Sequence, residues 1–308
     1  MQRSSERLRS HKGLDNVSVR EDHAAMTQTT IERPISYSGA ALHSGCECSI
    51  TLRPAPADTG ILFRRIDVEG APEIAAVVEN VVNTDRCTTI GAGNVAVSTI
   101  EHLMAALRGM EVDNVVVDID GPEVPIADGS AGPFVQLIRQ AGIAPLDAPR
   151  AVKIVEKPTW VRDGNKVAVA LPHETFRVSF TFTNDHNHPV LSDLYAEFDV
   201  ESATFAEEIA PARTIGWLSE VEKLQASGLA LGATMDMAVV IGEDRILTPM
   251  RFRNEPVRHK VLDVIGDLFL AGFVQAHIIC VRSNHYMNTR LAQAITANEN
   301  AKELTELK

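Results

Sequence analysis

The sequence has few cysteines, no long hydrophobic run and no excess of positive charge, and each of these absences excludes a class of protein. Four cysteines among 308 residues, none in a CxxC pair, are too few for a disulfide framework and favour the reducing cytoplasm. No apolar run approaches the ~20 residues of a membrane-spanning helix, and no secretory signal is recognisable. With 29 Lys and Arg against 41 Asp and Glu, the net charge of -12 argues against binding to nucleic acid or stable association with membranes.

The remaining composition, 45% hydrophobic and 23% charged, is typical of a globular protein of about two domains. Residues 1–30 lack periodicity and aromatic side chains, and this predicts a flexible N-terminal tail. The proline-containing segment 144–149 predicts a linker, which divides the rest into domains 31–147 and 148–308. Both halves run from strands into helices, and this order predicts an α+β fold. We expect the chain to be a monomer.

Residues 98–107 predict an amphipathic helix, because apolar residues recur at positions 100, 103, 104 and 107. Glu101 and His102 lie near its start. One interpretation is structural: Ser98 and Glu101 would form a capping box, and His102 would be a surface or partly buried imidazole. The other is that both residues belong to a site.

A second helix, predicted over residues 257–268, carries His259, Asp263 and Asp267 at intervals of four residues, which places all three on one face. An imidazole and a carboxylate at this spacing can bind one metal cation. The structural alternative is an exposed His–Asp pair of little energetic weight. The helix is otherwise so apolar that three ionisable groups on it indicate a site.

Taken together, His102, His259 and Asp263 would supply three protein ligands and leave a fourth position open, which is the pattern of catalytic zinc. Glu101, adjacent to one ligand, would then be placed to act as general base on a water molecule.

Two further segments are weaker candidates. The polar stretch 282–288 predicts a turn in which Asn284 tolerates an unusual backbone conformation and His285 is presented at the loop tip. His285 is either a catalytic acid or a solvated loop histidine. Thr214, beside an arginine and close to a glycine, could donate a hydrogen bond to an oxyanion.

These segments, in this order, resemble the UDP-3-O-acyl-N-acetylglucosamine deacetylase family, the zinc amidases of lipid A biosynthesis. The resemblance spans about residues 31–291, and several long motifs in one order are more specific than any one of them. The segments that carry it are 38–45, 52–56, 99–103, 112–114, 121–125, 128–130, 212–214 and 257–267.

The resemblance implies two domains, each a β-sheet packed on two α-helices, that meet face to face with the metal between them. It also implies a βαβ insert in the second domain, at about residues 216–241, that forms a hydrophobic passage for an acyl chain. Core packing explains the apolar residues of this segment equally well.

The resemblance further implies a role for each site residue. It makes His102, His259 and Asp263 the Zn²⁺ ligands and Glu101 the base. His285 would be the acid or the oxyanion-stabilising imidazolium, supported by Asp267. Side chains that contact the acylated UDP-sugar or polarise its amide carbonyl would be Thr214, Lys260, His43, Leu42 and Ile215.

The chain departs from the family pattern in three places. Beside Cys87, Asp85 and Arg86 are more polar than expected at the mouth of the passage. Asn284 stands where the family usually has glycine, and Ile215 stands where it usually has an aromatic residue. Two other functions stay open from the sequence. One is a non-catalytic module in which zinc or an ion-pair network clamps two domains together, and the other is a zinc amidase for a different acylated sugar.

Overall fold

The structure is a computed structural model that describes residues 26–184 and 187–297. A flexible N-terminal tail was predicted over residues 1–30. Residues 1–25 of it lie outside the described residues. Its last part is ordered, because Thr27–Ile31 forms the first strand, β1. Among the described residues, no helix is both long enough and apolar enough to cross a membrane.

The first half of the chain forms a mixed sheet with two helices. Alternating buried residues on one central strand, Cys48, Ile50 and Leu52, fix which face of the sheet meets the core. The elements are β1 (Thr27–Ile31), β2 (Ile35–Ala40), β3 (Glu47–Pro54), β4 (Ile61–Arg65), β5 (Glu73–Ala75), β6 (Val81–Asn83), β7 (Thr89–Ala92), β8 (Val95–Val97), α1 (Glu101–Gly109), β9 (Val115–Ile119) and α2 (Gly132–Ala141). The main sheet has the order β2-β3-β9-β4-β5, and β6-β7-β8 form a small second sheet.

The second half repeats the arrangement of strands followed by helices. Its elements are β10 (Ile143–Pro149), β11 (Val152–Ile154), β12 (Thr159–Asp163), β13 (Lys166–Leu171), β14 (Phe176–Phe182), β15 (Leu194–Asp199), α3 (Ser202–Thr204), β16 (Thr214–Trp217), α4 (Leu218–Ala226), β17 (Ala238–Ile241), α5 (Glu255–Leu268), β18 (Phe273–Val281) and α6 (His285–Thr296). The main sheet has the order β12-β13-β18-β14-β15, with β11 paired to β18. Helix α2 packs on β2, α5 on β14, and α6 on β12 and β13, so the predicted α+β class is confirmed.

The predicted linker at 144–149 is wrong as a description of local structure. These residues belong to β10, which pairs antiparallel with β1 from Thr27 to Ile31. The prolines are compatible with this strand because its partner lies on one side only, as in an edge strand. The two-stranded ribbon thus ties the N-terminal end of the described chain to the point where the first half ends.

Residues 214–241 form a β-α-β unit, since β16 and β17 pair in parallel and α4 connects them. The unit begins two residues before the predicted start of the insert, at Thr214. Its use as a passage for an acyl chain stays a prediction.

Helices α1 and α5 pack directly against each other and join the two halves in one hydrophobic core. Leu103 and Met104 of α1 belong to the same buried cluster as Val261 and Leu262 of α5. The close approach depends on Gly266, because a Cβ atom there would lie 2.0 Å from the carbonyl oxygen of Glu101.

Replacing Gly266 with alanine is therefore expected to destabilise the protein by about 1–3 kcal/mol. In an ordinary helix interior the same change would stabilise the protein by about 1 kcal/mol. The sign of the change in the free energy of unfolding therefore tells a tight contact from an open helix surface. Urea denaturation measures the effect. The matched control is Gly216→Ala, whose Cβ would meet only that of Ala238 at 3.8 Å. If the urea concentration at the unfolding midpoint of G266A were equal to or higher than that of the unmodified protein, the tight α1–α5 contact would be contradicted.

Candidate active site

His102, His259 and Asp263 meet where α1 and α5 cross. One ligand atom from each side chain lies within 4.8 Å of the others. The carboxylate Oδ1 of Asp263 is 3.4 Å from Nε2 of His259 and 3.8 Å from Nε2 of His102. All three residues are buried. The structure therefore brings together the three side chains that the sequence predicted as metal ligands.

The chemistry of this donor set fits a divalent metal cation. Asp263 Oδ1 is buried and has no hydrogen-bond partner among the described residues, which is costly unless a cation completes the group. His259 Nδ1 lies 3.1 Å from the carbonyl oxygen of Ala212, so this nitrogen carries the proton and Nε2 keeps its lone pair. Burial is the main cause that lowers the pKa of His102, to about 3, so that ring is neutral as well.

Lys260 stabilises the anionic state of Asp263. Its Nζ donates to Asp263 Oδ2 at 2.8 Å, which leaves Oδ1 facing the two imidazoles. Burial alone would raise the pKa of Asp263, but His259 and Lys260 hold it well below its ordinary value. The predicted substrate-contacting lysine is thus paired with the carboxylate of a predicted metal ligand.

Glu101 is the first residue of α1 and is buried beside this cluster. Its Oε2 accepts a hydrogen bond from the backbone N–H of Thr88 at 3.0 Å. Burial raises the pKa of Glu101 to about 7, with smaller contributions from Asp267 and Asp263, while the charge of His285 opposes the rise. A carboxylate with a pKa near neutrality can accept a proton at physiological pH.

The capping-box interpretation of Glu101 is wrong. The hydroxyl of Ser98 donates to the carbonyl oxygen of Pro122, and Ile100, the residue before α1, makes no side-chain cap. Thr99 has a φ of 56°, so the backbone cannot run in helical conformation from Ser98 to Glu101. Glu101 is thereby free of a capping role.

His285 opens α6 and is largely buried, which corrects the predicted loop tip. Asn284 has extended backbone and caps the helix, since its side chain accepts from Met287 N at 3.1 Å. Residues 285–288 of the predicted turn therefore belong to the helix. His285 is fixed at a helix end where its ring faces the cluster.

Asp267 contacts His285 from α5. Its Oδ2 lies 2.9 Å from Nδ1 of His285 and accepts from Asn288 Nδ2 at 2.9 Å, while Oδ1 accepts from the hydroxyl of Thr88. Burial alone would lower the pKa of His285, but the Asp267 carboxylate raises it to about 9. His285 is therefore protonated at neutral pH.

A cavity of about 360 Å³ connects these groups. Its lining includes the three predicted metal ligands, Glu101, His285 and four of the five predicted substrate contacts. Those four are Leu42, Thr214, Ile215 and Lys260. His43 is not part of the lining, and neither nitrogen of its half-buried ring has a hydrogen-bond partner among the described residues.

Two residues that support the site, Thr88 and Glu123, were not predicted from the sequence. Thr88 contacts both Glu101 and Asp267, and no local spacing connects a threonine with partners 13 and 179 positions away. Glu123 accepts from the backbone N–H groups of His43 and Ser44 at 2.8 and 2.9 Å and from the hydroxyl of Thr99 at 3.0 Å. Glu123 lies in segment 121–125, which carries part of the family resemblance, and this was the signal that could have pointed to it. The segment alone does not identify its hydrogen-bond partners.

Two buried imidazoles and a carboxylate around one point, with the Glu101 carboxylate and the His285 ring beside them, are the arrangement of a metal-dependent hydrolase. The comparisons with known proteins give the family. A family model described as UDP-3-O-acyl N-acetylglycosamine deacetylase matches residues 28–297, and the chain belongs to this family.

Curated relatives of the same name cover nearly the whole chain. A UDP-3-O-acyl-N-acetylglucosamine deacetylase of Geotalea uraniireducens is 46% identical over 91% of this chain and 92% of its own length. The relative from Myxococcus xanthus is 43% identical over 91% of this chain and 90% of its own length. The relative from Cellvibrio japonicus is also 43% identical, over 90% of this chain and 93% of its own length. The predicted family is confirmed.

Proposed function

We propose that this protein removes the N-acetyl group from UDP-3-O-acyl-N-acetylglucosamine, releasing acetate and a free glucosamine amine in lipid A biosynthesis. The observation that carries the proposal is the convergence on one cavity of Glu101, the three predicted ligand side chains and His285, which is backed by Asp267. The relatives' names supply the substrate, since each is called a deacetylase of this acylated sugar nucleotide.

We infer that the metal is zinc, held by His102, His259 and Asp263. Two neutral imidazoles and one carboxylate are a donor set that zinc enzymes use. A bound zinc ion would supply Lewis acidity, which polarises a water molecule and the amide carbonyl.

The protein's own residues move the protons. Glu101 accepts a proton from the water whose oxygen adds to the acetyl carbonyl carbon. When the C–N bond breaks, the nitrogen takes the bonding electrons and receives a proton from His285, whose positive charge Asp267 sustains. Water is consumed, and acetate and the ammonium form of the amine leave. The proton that Glu101 accepted returns through solvent to His285, so atoms and charge balance.

The remaining cavity residues would orient the substrate. Thr214 has a hydroxyl in the lining with which to donate to the carbonyl oxygen, and Leu42 and Ile215 offer apolar surface. Lys260, held by Asp263, adds positive charge near the sugar. We infer that His43 acts from behind the lining, where Glu123 fixes the backbone of its loop.

Cytoplasmic location is part of the proposal. All four cysteines are unpaired, which is what a reducing compartment maintains.

The proposal is tested by incubating the purified protein with UDP-3-O-acyl-N-acetylglucosamine and with the same acylated sugar lacking the nucleotide. We expect acetate and free amine in equal amounts, with the nucleotide substrate strongly preferred. Preference for the nucleotide-free sugar would indicate an amidase for another acylated sugar. No turnover of either substrate by zinc-loaded protein would contradict the enzymatic function and favour a metal-clamped module.

Metal analysis tests the ligand assignment separately. We expect about one zinc per chain, and we expect Asp263→Ala to lose most of it, because one of three protein ligands and the charge that balances the ion are removed. The control is Asp163→Ala, at the exposed end of β12. Retention of full zinc content by D263A would contradict the assignment.

A further inference from the structure

Two basic side chains besides His285 belong to the cavity lining, Arg86 and Lys260, and they differ in their partners. Lys260 is committed to Asp263 at 2.8 Å. Arg86, on the loop before β7, instead reaches across to Glu220 of α4, with its NH1 3.0 Å from Glu220 Oε2. Arg86 is thus the lining cation that is not tied to the metal-ligand cluster.

We propose that Arg86 binds the diphosphate of the substrate and that Glu220 holds its guanidinium until the diphosphate displaces the carboxylate. The inference deepens the proposed function and rests on it, because a diphosphate enters the cavity only with a nucleotide-linked sugar. It assigns Arg86 as a substrate-binding residue and Glu220 as its internal competitor.

The backbone at Arg86 supports a functional placement. Arg86 has a φ of 67°, a left-handed conformation that is unfavourable for a long side chain and that glycine would adopt without strain. Backbone conformations of this kind cluster at functional sites. The neighbouring residues Thr84 and Asp85 also line the cavity, so the strained turn faces the site.

The Arg86–Glu220 pair is well suited to exchange. The two side chains are 50% and 38% exposed, and ion pairs this accessible to water contribute little stability. The hydrogen bond to Glu220 uses one of several N–H donors of the guanidinium, whose planar fork matches phosphate oxygens. A diphosphate carries more negative charge than one carboxylate and therefore competes effectively.

The charge of the whole chain makes such a residue necessary. At a net charge of -12, no general positive field attracts an anionic nucleotide, so a few placed cations must do so. Arg86 also lies close to the predicted substrate contact His43. Burial lowers the pKa of the His43 ring most, and the positive charge of Arg86 lowers it further.

Opposite effects of two substitutions test the exchange. With zinc-loaded protein, Arg86→Leu is expected to raise KM for UDP-3-O-acyl-N-acetylglucosamine about 10-fold to 100-fold, with little change in kcat. Titration with UDP should show a weakening of binding of the same order. Glu220→Gln should instead lower KM and tighten UDP binding, by up to about 5-fold, because Arg86 no longer has to leave a carboxylate.

If the Arg86–Glu220 pair only clamped the loop to α4, R86L and E220Q would shift KM and UDP affinity in the same direction. That result would overturn the proposal. Unchanged UDP binding by R86L would also overturn it. Arg162→Leu, an exposed arginine on β12, serves as the matched control and should leave KM unchanged. Because UDP titration does not require turnover, a protein that binds UDP through Arg86 but deacetylates nothing would contradict the proposed function alone.

Discussion

Glu101→Gln is expected to lower kcat by about 10²-fold to 10⁴-fold while zinc content stays at about one per chain. Glutamine keeps the shape of the side chain and an oxygen that can still accept from the backbone N–H of Thr88. It cannot accept a proton from water. The substitution therefore separates proton transfer from folding and from metal binding, since Glu101 is not one of the three clustered ligands.

The pH profile of the unmodified enzyme supplies a second readout for Glu101. A general base must be deprotonated, and burial raises the pKa of this carboxyl to about 7, so kcat/KM should fall as the pH drops below neutrality. The control is Glu69→Gln, an exposed residue outside the cavity lining, which should keep both the rate and the profile. A near-normal rate for E101Q would remove Glu101 from the base role.

The clustering of the three predicted metal ligands could be predicted from the sequence to the extent that its geometry is local. His259 and Asp263 lie one helical turn apart, so the sequence alone places them side by side on α5. The approach of His102 is non-local, because it depends on the α1–α5 crossing and on Gly266, which no periodicity reveals. The family resemblance placed His102 with the other two residues, and the structure brings the three side chains together.

The errors arose where tertiary contacts override local signals. A proline-containing stretch typical of a linker became a strand because β1 offered a pairing partner. Ser98 and Glu101 have the spacing of a capping box, yet the left-handed Thr99 between them and the N–H of Thr88 give Glu101 a different partner. In the first case the deciding partner lies far along the chain, whereas in the second the backbone at Thr99 and a partner 13 residues away decide.

The environment of His285 could not be predicted from its own segment. Local composition indicates a solvated turn, but Asn284 caps a helix and Asp267, 18 residues earlier, meets the ring. A histidine in water has a pKa of about 6.5, and the buried carboxylate partner is what raises it to about 9. The functional distinction between an inert histidine and a proton donor therefore depends on a contact between α5 and α6.

His285→Ala is accordingly expected to reduce kcat by about 10²-fold or more and to abolish the alkaline limb of the pH profile. An acid must be protonated to act, so the unmodified enzyme should keep its activity up to the pKa of His285, near 9, and lose it as the pH rises further. The measurement is kcat/KM from pH 5 to 10, with zinc content checked in parallel. His173→Ala, a histidine outside the cavity lining, is the control.

Asp267→Asn distinguishes a proton donor from a residue that merely packs in the site. Without the carboxylate, burial becomes the dominant influence and lowers the pKa of His285, so the alkaline limb should move toward neutral pH while His285 itself is retained. An asparagine keeps one acceptor oxygen, which can still accept from Asn288, while its NH2 group can donate to the hydroxyl of Thr88, and this limits the structural disturbance. If the alkaline limb stays in place in D267N and in H285A, the group that protonates the leaving amine is not His285.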